Sequence, residues 1–287
     1  MPTSLTETAE YTSAQLSVPA TGDARTAASV DAAFQLLTNR AAFALAAVES
    51  RLQWSGDFAV APGGSNSSFV VSIGAFQCVV LVDDAGAAYA PYIYAGGTIG
   101  ASKIEGGGNL ANSSIYYVYA YLVSGVVDFE ISLIPPRASR AHKTGSGYAY
   151  QSRRYIGFFP TDSSGNPLPL RASHGRYVFR LSALATGHRV LNASATVGAT
   201  DFSCAALVPP HVRLVSLRLA LTAAGGAAVF GIYAKPDTLG VQCRVDSPDG
   251  TMSGFCEVEC DATQTLQYQL TLGGTGAGQA FVAGCQE

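Results

Sequence analysis

A chain of 287 residues with 48% hydrophobic and only 13% charged side chains can build two β domains, each with its own core. Such sparse charge suits a protein that covers much of its surface against copies or neighbours. The net charge of −3, from 17 basic and 20 acidic residues, leaves no basic stripe of the kind nucleic acid requires. No apolar run approaches the ~20 residues of a membrane helix.

The opening MPTSLTETAEYTSAQ has neither a positive start nor an apolar centre. A secretory leader is therefore not expected, and folding in a cytoplasm is. Residues 1–24 are polar, rich in Thr and Ser and without periodicity, which predicts an extended docking arm. Residues 25–55 carry the one strong helical pattern, with Val30, Phe34, Leu37, Ala41, Ala44 and Val48 at alternating steps of four and three. That spacing is a heptad seam, and it predicts an oligomerisation helix of coiled-coil type, ~35 Å long. A second row, Ala33, Leu36, Phe43 and Ala47, widens the apolar face and favours three or more helices. The alternative is a helix packed on its own β domain.

After Trp54 the pattern changes to alternating strands and Gly-rich turns, giving a first β domain over 56–140. Segment 69–82, the turn Asp83–Gly86 and Tyr89–Tyr94 suggest a hairpin. The Gly-rich stretch from Glu105 to Asn109 reads as a surface loop, since no helix pattern or Lys/Ser pair follows to make a phosphate cradle. Strand 115–122 is aromatic on both faces and should be covered on both. Strand 127–133 sets Val127, Phe129, Ile131 and Leu133 inward against Asp128, Glu130 and Ser132, and Pro135-Pro136 ends it. The polar stretch 137–150 marks a boundary. Its neighbourhood holds Arg137, Arg140, His142, Lys143, Arg153 and Arg154, a modest basic patch expected to be a solvated loop.

The C-terminal β-sandwich domain, 141–287, shows the same alternation. Its inward rows are Tyr177, Phe179 and Leu181; Val215, Leu217, Leu219 and Leu221; and Leu266, Tyr268, Leu270 and Leu272. Short strands with regular turn punctuation predict a mainly β fold, an antiparallel sandwich or jelly roll behind the arm and helix. The cysteines fall in phase with apolar neighbours: Cys78, Cys243, Cys256, Cys260 and Cys285, the last grouped with Phe281 and Ala283. They read as reduced, buried thiols, with Cys243–Cys256 as the one pair worth checking.

Little catalytic chemistry is legible. Nucleophile-elbow, zinc-protease and phosphate-loop motifs are missing, and the four histidines occur singly. Asp128 with Glu130, and Glu257 with Glu259 and Asp261, lie two apart on strands, ~7 Å along one face, within the range of a glycosidase pair. Both sets alternate with inward apolar residues, so they should be solvated and keep ordinary acidity. Asp246 and Asp249 flank a turn that could hold Ca²⁺, although a simple turn is the plainer reading. No metal or other cofactor is expected. Tyr116, Tyr119 and Tyr121 are candidates for surface contacts, including stacking on glycan, against the alternative of core filling.

Two stretches resemble a known class. TGDARTAASVDAAFQLLTNRAAFALAAVESRL is similar to the N-terminal module of many phage tail fibre and baseplate-associated proteins, where a short arm ends in a helix with an Asn-Arg-(Ala/Thr) step, here Asn39-Arg40-Ala41. RRYIGFFPTDSSGNPLPLRASHGRYVF, from Arg153 to Phe179, resembles a segment recurring in phage structural proteins. Together they span about a fifth of the chain. The resemblance implies a non-enzymatic tail fibre or baseplate subunit, assembled in a bacterial cytoplasm and located in the virion. It would dock by its N-terminus, associate as a homotrimer with itself and with other tail or baseplate proteins, and display β domains for host attachment, with host surface glycan as a further partner. A head fibre or capsid decoration protein, or a carbohydrate-binding module, is the alternative.

Overall fold

The computed structural model describes residues 57–82, 89–137, 142–145, 152–180, 186–235 and 242–287. The arm expected over 1–24, the helix expected over 25–55 and its seam, Val30, Phe34, Leu37, Ala41, Ala44 and Val48, lie outside the described residues, as does the turn at 83–86. The described residues are mainly β. Their helical content is two 3-10 segments, Ala101–Lys103 and Thr186–His188.

The first strands are β1 (Phe58–Val60), β2 (Val71–Ile73), β3 (Phe76–Val82), β4 (Tyr89–Tyr94), β5 (Gly97–Ile99), β6 (Ile115–Val123) and β7 (Val126–Ser132). Then come β8 (Arg154–Pro160), β9 (Leu170–Ser173), β10 (Arg176–Phe179), β11 (Arg189–Ala193) and β12 (Val197–Ser203). The last are β13 (Leu214–Ala224), β14 (Ala228–Ala234), β15 (Cys243–Ser247), β16 (Gly250–Glu259), β17 (Thr265–Leu272) and β18 (Thr275–Gln286).

Nine strands form the largest sheet, in the order β16-β13-β18-β10-β9-β1-β2-β5, with β11 also paired to β18. A four-stranded sheet runs β12-β17-β14-β15, a three-stranded sheet β7-β6-β8, and β3 pairs with β4. Strand pairings among the described residues are antiparallel. Two hairpins, β6–β7 and β9–β10, turn through two residues at positive φ, Ser124 and Gly125 at 51° and 79° and His174 and Gly175 at 52° and 75°, the left-handed pair whose twist suits a two-residue connection.

Register fixes which faces meet. Tyr177 pairs with Cys285 on one side and Ala172 on the other; Cys285 pairs with Val215, and Ala172 with Phe58. All five therefore point to one face of the nine-stranded sheet. The four-stranded sheet packs on that face through Phe230 and Leu270, which leave no room for a side chain at Gly278: a Cβ there would stand 3.1 Å and 3.2 Å from their rims. The three-stranded sheet packs on the same face farther along, where Phe158 meets Tyr177 at a ring separation of 4.3 Å. The result is a β-sandwich with one continuous apolar core, from Phe58 and Val71 through Phe158 to Leu217, Phe230 and Leu270. Each fully buried Leu or Phe contributes ~2 kcal/mol of transfer free energy.

The boundary expected at 140/141 falls inside this body. β1 pairs with β9 and β6 with β8, so strands from both sides share sheets, and residues 54–287 form one compact unit.

Most inward rows follow the alternation. Val215, Leu217, Leu219 and Leu221 are buried, as are Leu266, Tyr268 and Leu270. Leu133 departs from it: β7 ends at Ser132, and Leu133 is exposed. So does the grouping of Phe281 with Cys285. A bulge opposite Ser216/Leu217 shifts β18 by one residue, so Phe281 pairs with the outward Arg218 while Cys285 pairs with the inward Val215.

Candidate functional site

Three places gather the side chains capable of chemistry or recognition. The first is the face of the β7-β6-β8 sheet on which register sets Asp128, Glu130 and Ser132 beside Tyr121, Tyr119 and Tyr117. Asp128, Glu130 and Ser132 project there, as alternation requires, but they are not solvated as expected. Lys143, only 1% exposed, folds over them. Its Nζ lies 2.6 Å from Glu130 Oε1 and 2.7 Å from Glu105 Oε1. Arg153 donates from Nε to Glu130 Oε2 at 2.9 Å, and its guanidinium lies 3.6 Å above the Tyr121 ring. Ser132 Oγ donates to Glu105 Oε2 at 2.5 Å, and Lys103 Nζ meets Asp128 Oδ1 at 2.5 Å.

These contacts set the acidities. Burial works against ionisation of Glu105, but hydrogen bonds from Lys143 and Ser132 and the charges of Lys143 and Arg153 outweigh it and hold the carboxyl below its ordinary range. At Asp128 burial is likewise overcome by Lys103 and the Phe129 N–H, with the same downward result. A general acid needs the opposite shift from that of Asp128, and Glu130 is held as an acceptor by Lys143 and Arg153. The patch read as a solvated basic loop is corrected too, since Lys143 is buried in this network and Arg154 is buried on β8.

The tyrosines of β6 do not present the surface proposed for them. Tyr116 is 3% and Tyr119 0% exposed. Tyr116 Oη accepts from the Ala111 N–H at 2.7 Å, and Tyr119 Oη donates to the Ile134 carbonyl at 2.7 Å. Tyr121 is half-buried, with Arg153 stacked on it. The strand is covered on both faces, as its aromatic run implied, and that coverage buries the Tyr116 and Tyr119 rings.

The second place was not legible in the sequence, because its residues come from four distant stretches. His211 follows Pro209-Pro210, Tyr155 lies on β8, Tyr177 on β10, and Glu287 follows β18. His211 Nε2 is 2.9 Å from Glu287 Oε1, and Tyr155 Oη donates to that same oxygen. The rings of Tyr117, Tyr155 and Phe158 surround the imidazole. Burial, then the Glu287 charge, pushes the Tyr155 and Tyr177 hydroxyls well above their ordinary range and Tyr117 up to about 12. One carboxylate thus ties the 209–211 loop to the three-stranded sheet at the end of β18.

The third place is the margin where β15 and β16 meet. Cys243 and Cys256 form a disulfide there, with Cα atoms 6.0 Å apart, joining the four-stranded to the nine-stranded sheet. It is the one pair that the sequence singled out as worth checking for a bridge. Cys204, Cys260 and Cys285 remain free and buried, as expected, and burial pushes the Cys204 thiol up to about 12. Beyond the disulfide, Phe255 is 73% and Met252 46% exposed on β16. Glu257 takes Arg176 at 3.5 Å and Ser216 Oγ at 3.1 Å.

The remaining acidic candidates hold turns. Asp261 accepts from the Thr263 and Thr265 N–H groups at 2.9 Å and 2.8 Å. Asp246 pairs with Arg244 at 2.7 Å, and Asp249 accepts from the Gly250 N–H at 3.0 Å. Among the described residues no three His, Cys, Asp or Glu side chains are grouped to hold a metal. Compared with known families, curated proteins and solved structures, the chain gives no match.

Proposed function

We propose that this chain is a non-enzymatic structural subunit of a bacteriophage-type virion, in a tail fibre or baseplate. It docks through residues 1–24, trimerises through the seam of 25–55 and holds out its β body for contact with the host. The observation that carries this reading is how the body uses its polar groups. Glu130, Glu105 and Asp128 pin Lys143 and Lys103 to the three-stranded sheet, and Glu287 pins the 209–211 loop to the sheet junction. Polar groups spent on ties between elements suit a stiff element for display. The arm and helix pattern of residues 1–55 supplies the virion context, and trimeric display would raise weak single contacts through effective concentration.

Immunogold labelling of intact particles with antibody against residues 57–287 tests this. Label at the tail is the expected result. Label on the head would transfer the chain to capsid decoration, and particles free of label would end the virion reading. Of the three rings offered for the glycan-binding alternative, Tyr116 and Tyr119 are buried and Tyr121 is half-buried.

A further inference from the structure

We propose that β16 pairs with β16 of a second copy of this chain, antiparallel about a two-fold axis, so that two nine-stranded sheets join edge to edge. Among the described residues β16 pairs with β13 on one side and stands at the end of the sheet. It runs ten residues, GTMSGFCEVE, without the Lys or Pro that blunts edges meant to stay open.

Its exposed apolar side chains lie on both faces. Phe255 pairs in register with Arg218 on the outer face, and the guanidinium carbon stands 6.0 Å from the ring. Met252 pairs with Leu221 on the inner face. β15 reaches the inner face of β16 at Gly254, where Val245 Cγ2 would stand 3.1 Å from a Cβ, yet Met252 stays exposed. A partner resting on either face would cover one of these residues and leave the other in water. A strand added along the edge sets side chains against both.

Charge selects the strand. Positions 250 to 256 carry none, while Glu257 and Glu259 make the other end acidic. A parallel copy in register would set Glu257 against Glu257 and Glu259 against Glu259. An antiparallel copy centred on Phe255 sets Glu257 opposite Ser253 and Glu259 opposite Thr251, and brings the two Phe255 rings together at the axis. The strand is thus complementary to itself in one direction only.

Sedimentation equilibrium of the full chain provides the test. The wild type should double in mass with concentration. Phe255→Ser should weaken the doubling, and Ser253→Glu should weaken it about tenfold, because it places carboxylates opposite Glu257 twice per dimer. Ser253→Lys should hold or tighten it by facing those carboxylates with cations. Since Ser253 is exposed, its two variants carry the test even if Phe255→Ser fails to fold. A mass that does not depend on concentration, or equal effects of the two Ser253 variants, would overturn the pairing. The N-terminal seam is a separate matter: association lost in Phe34→Asp/Leu37→Asp but untouched by the β16 variants would also overturn the pairing while leaving the seam in place.

Discussion

Lys143 is almost wholly removed from water, and its ammonium depends on Glu105 and Glu130 for compensation. Taking away one partner of a buried ion pair leaves charge without solvent or counter-ion, at a cost of about 3 kcal/mol. Glu130→Ala should therefore lower the unfolding free energy by about that amount in a urea titration, since Lys143 and Arg153 each lose one carboxylate contact. His188 makes a different point. It is buried against Phe179, and neither ring nitrogen has a hydrogen-bond partner. Burial lowers its folded pKa below the ordinary 6.5. The unfolded chain then binds the proton more readily, so stability is full above the unfolded value and is lost as pH falls toward the folded one. The melting temperature of the wild type should drop between about pH 7 and about pH 5, and His188→Leu should lose less over the same interval. Equal drops would remove His188 from the account.

At the scale of elements, the Cys243–Cys256 bond joins two sheets that meet at β15 and β16 without pairing there. Replacing both cysteines with serine should cost about 3 kcal/mol, as for the opening of a loop of this length, and a thermal melt under reducing conditions should reproduce the loss. The strands themselves were largely legible. Where one face is buried, a period of two is forced on the sequence, as in Val215–Leu221 and Leu266–Leu270. Legibility failed where a second layer intervened. Alternation says that Glu130 faces away from the core, but not that Lys143 and Arg153 will roof it over. The bulge that separates Phe281 from Cys285 leaves no local mark, and an aromatic run such as Tyr116–Tyr121 reads equally as core or display. The Tyr155–His211–Glu287 cluster and the marginal position of β16 depend on strand order, which periodicity does not encode.

For the whole molecule, the seam remains the largest expectation carried by sequence. If it drives trimer formation, Phe34→Asp with Leu37→Asp should reduce the mass of the purified chain about threefold by light scattering. Retention of the wild-type mass would reject it. The β body adds a consequence of its own through β18. This strand is flanked by β13 on one side and by β10 and β11 on the other, so it sits inside the large sheet although it is the last of the described strands in chain order. A nascent chain stalled before residue 275 would hold its three neighbours with unsatisfied backbone edges, ready to join any strand nearby. Productive folding of this body must therefore wait until residues 275–286 have been made, and the interval before that is when chaperones have the most to protect.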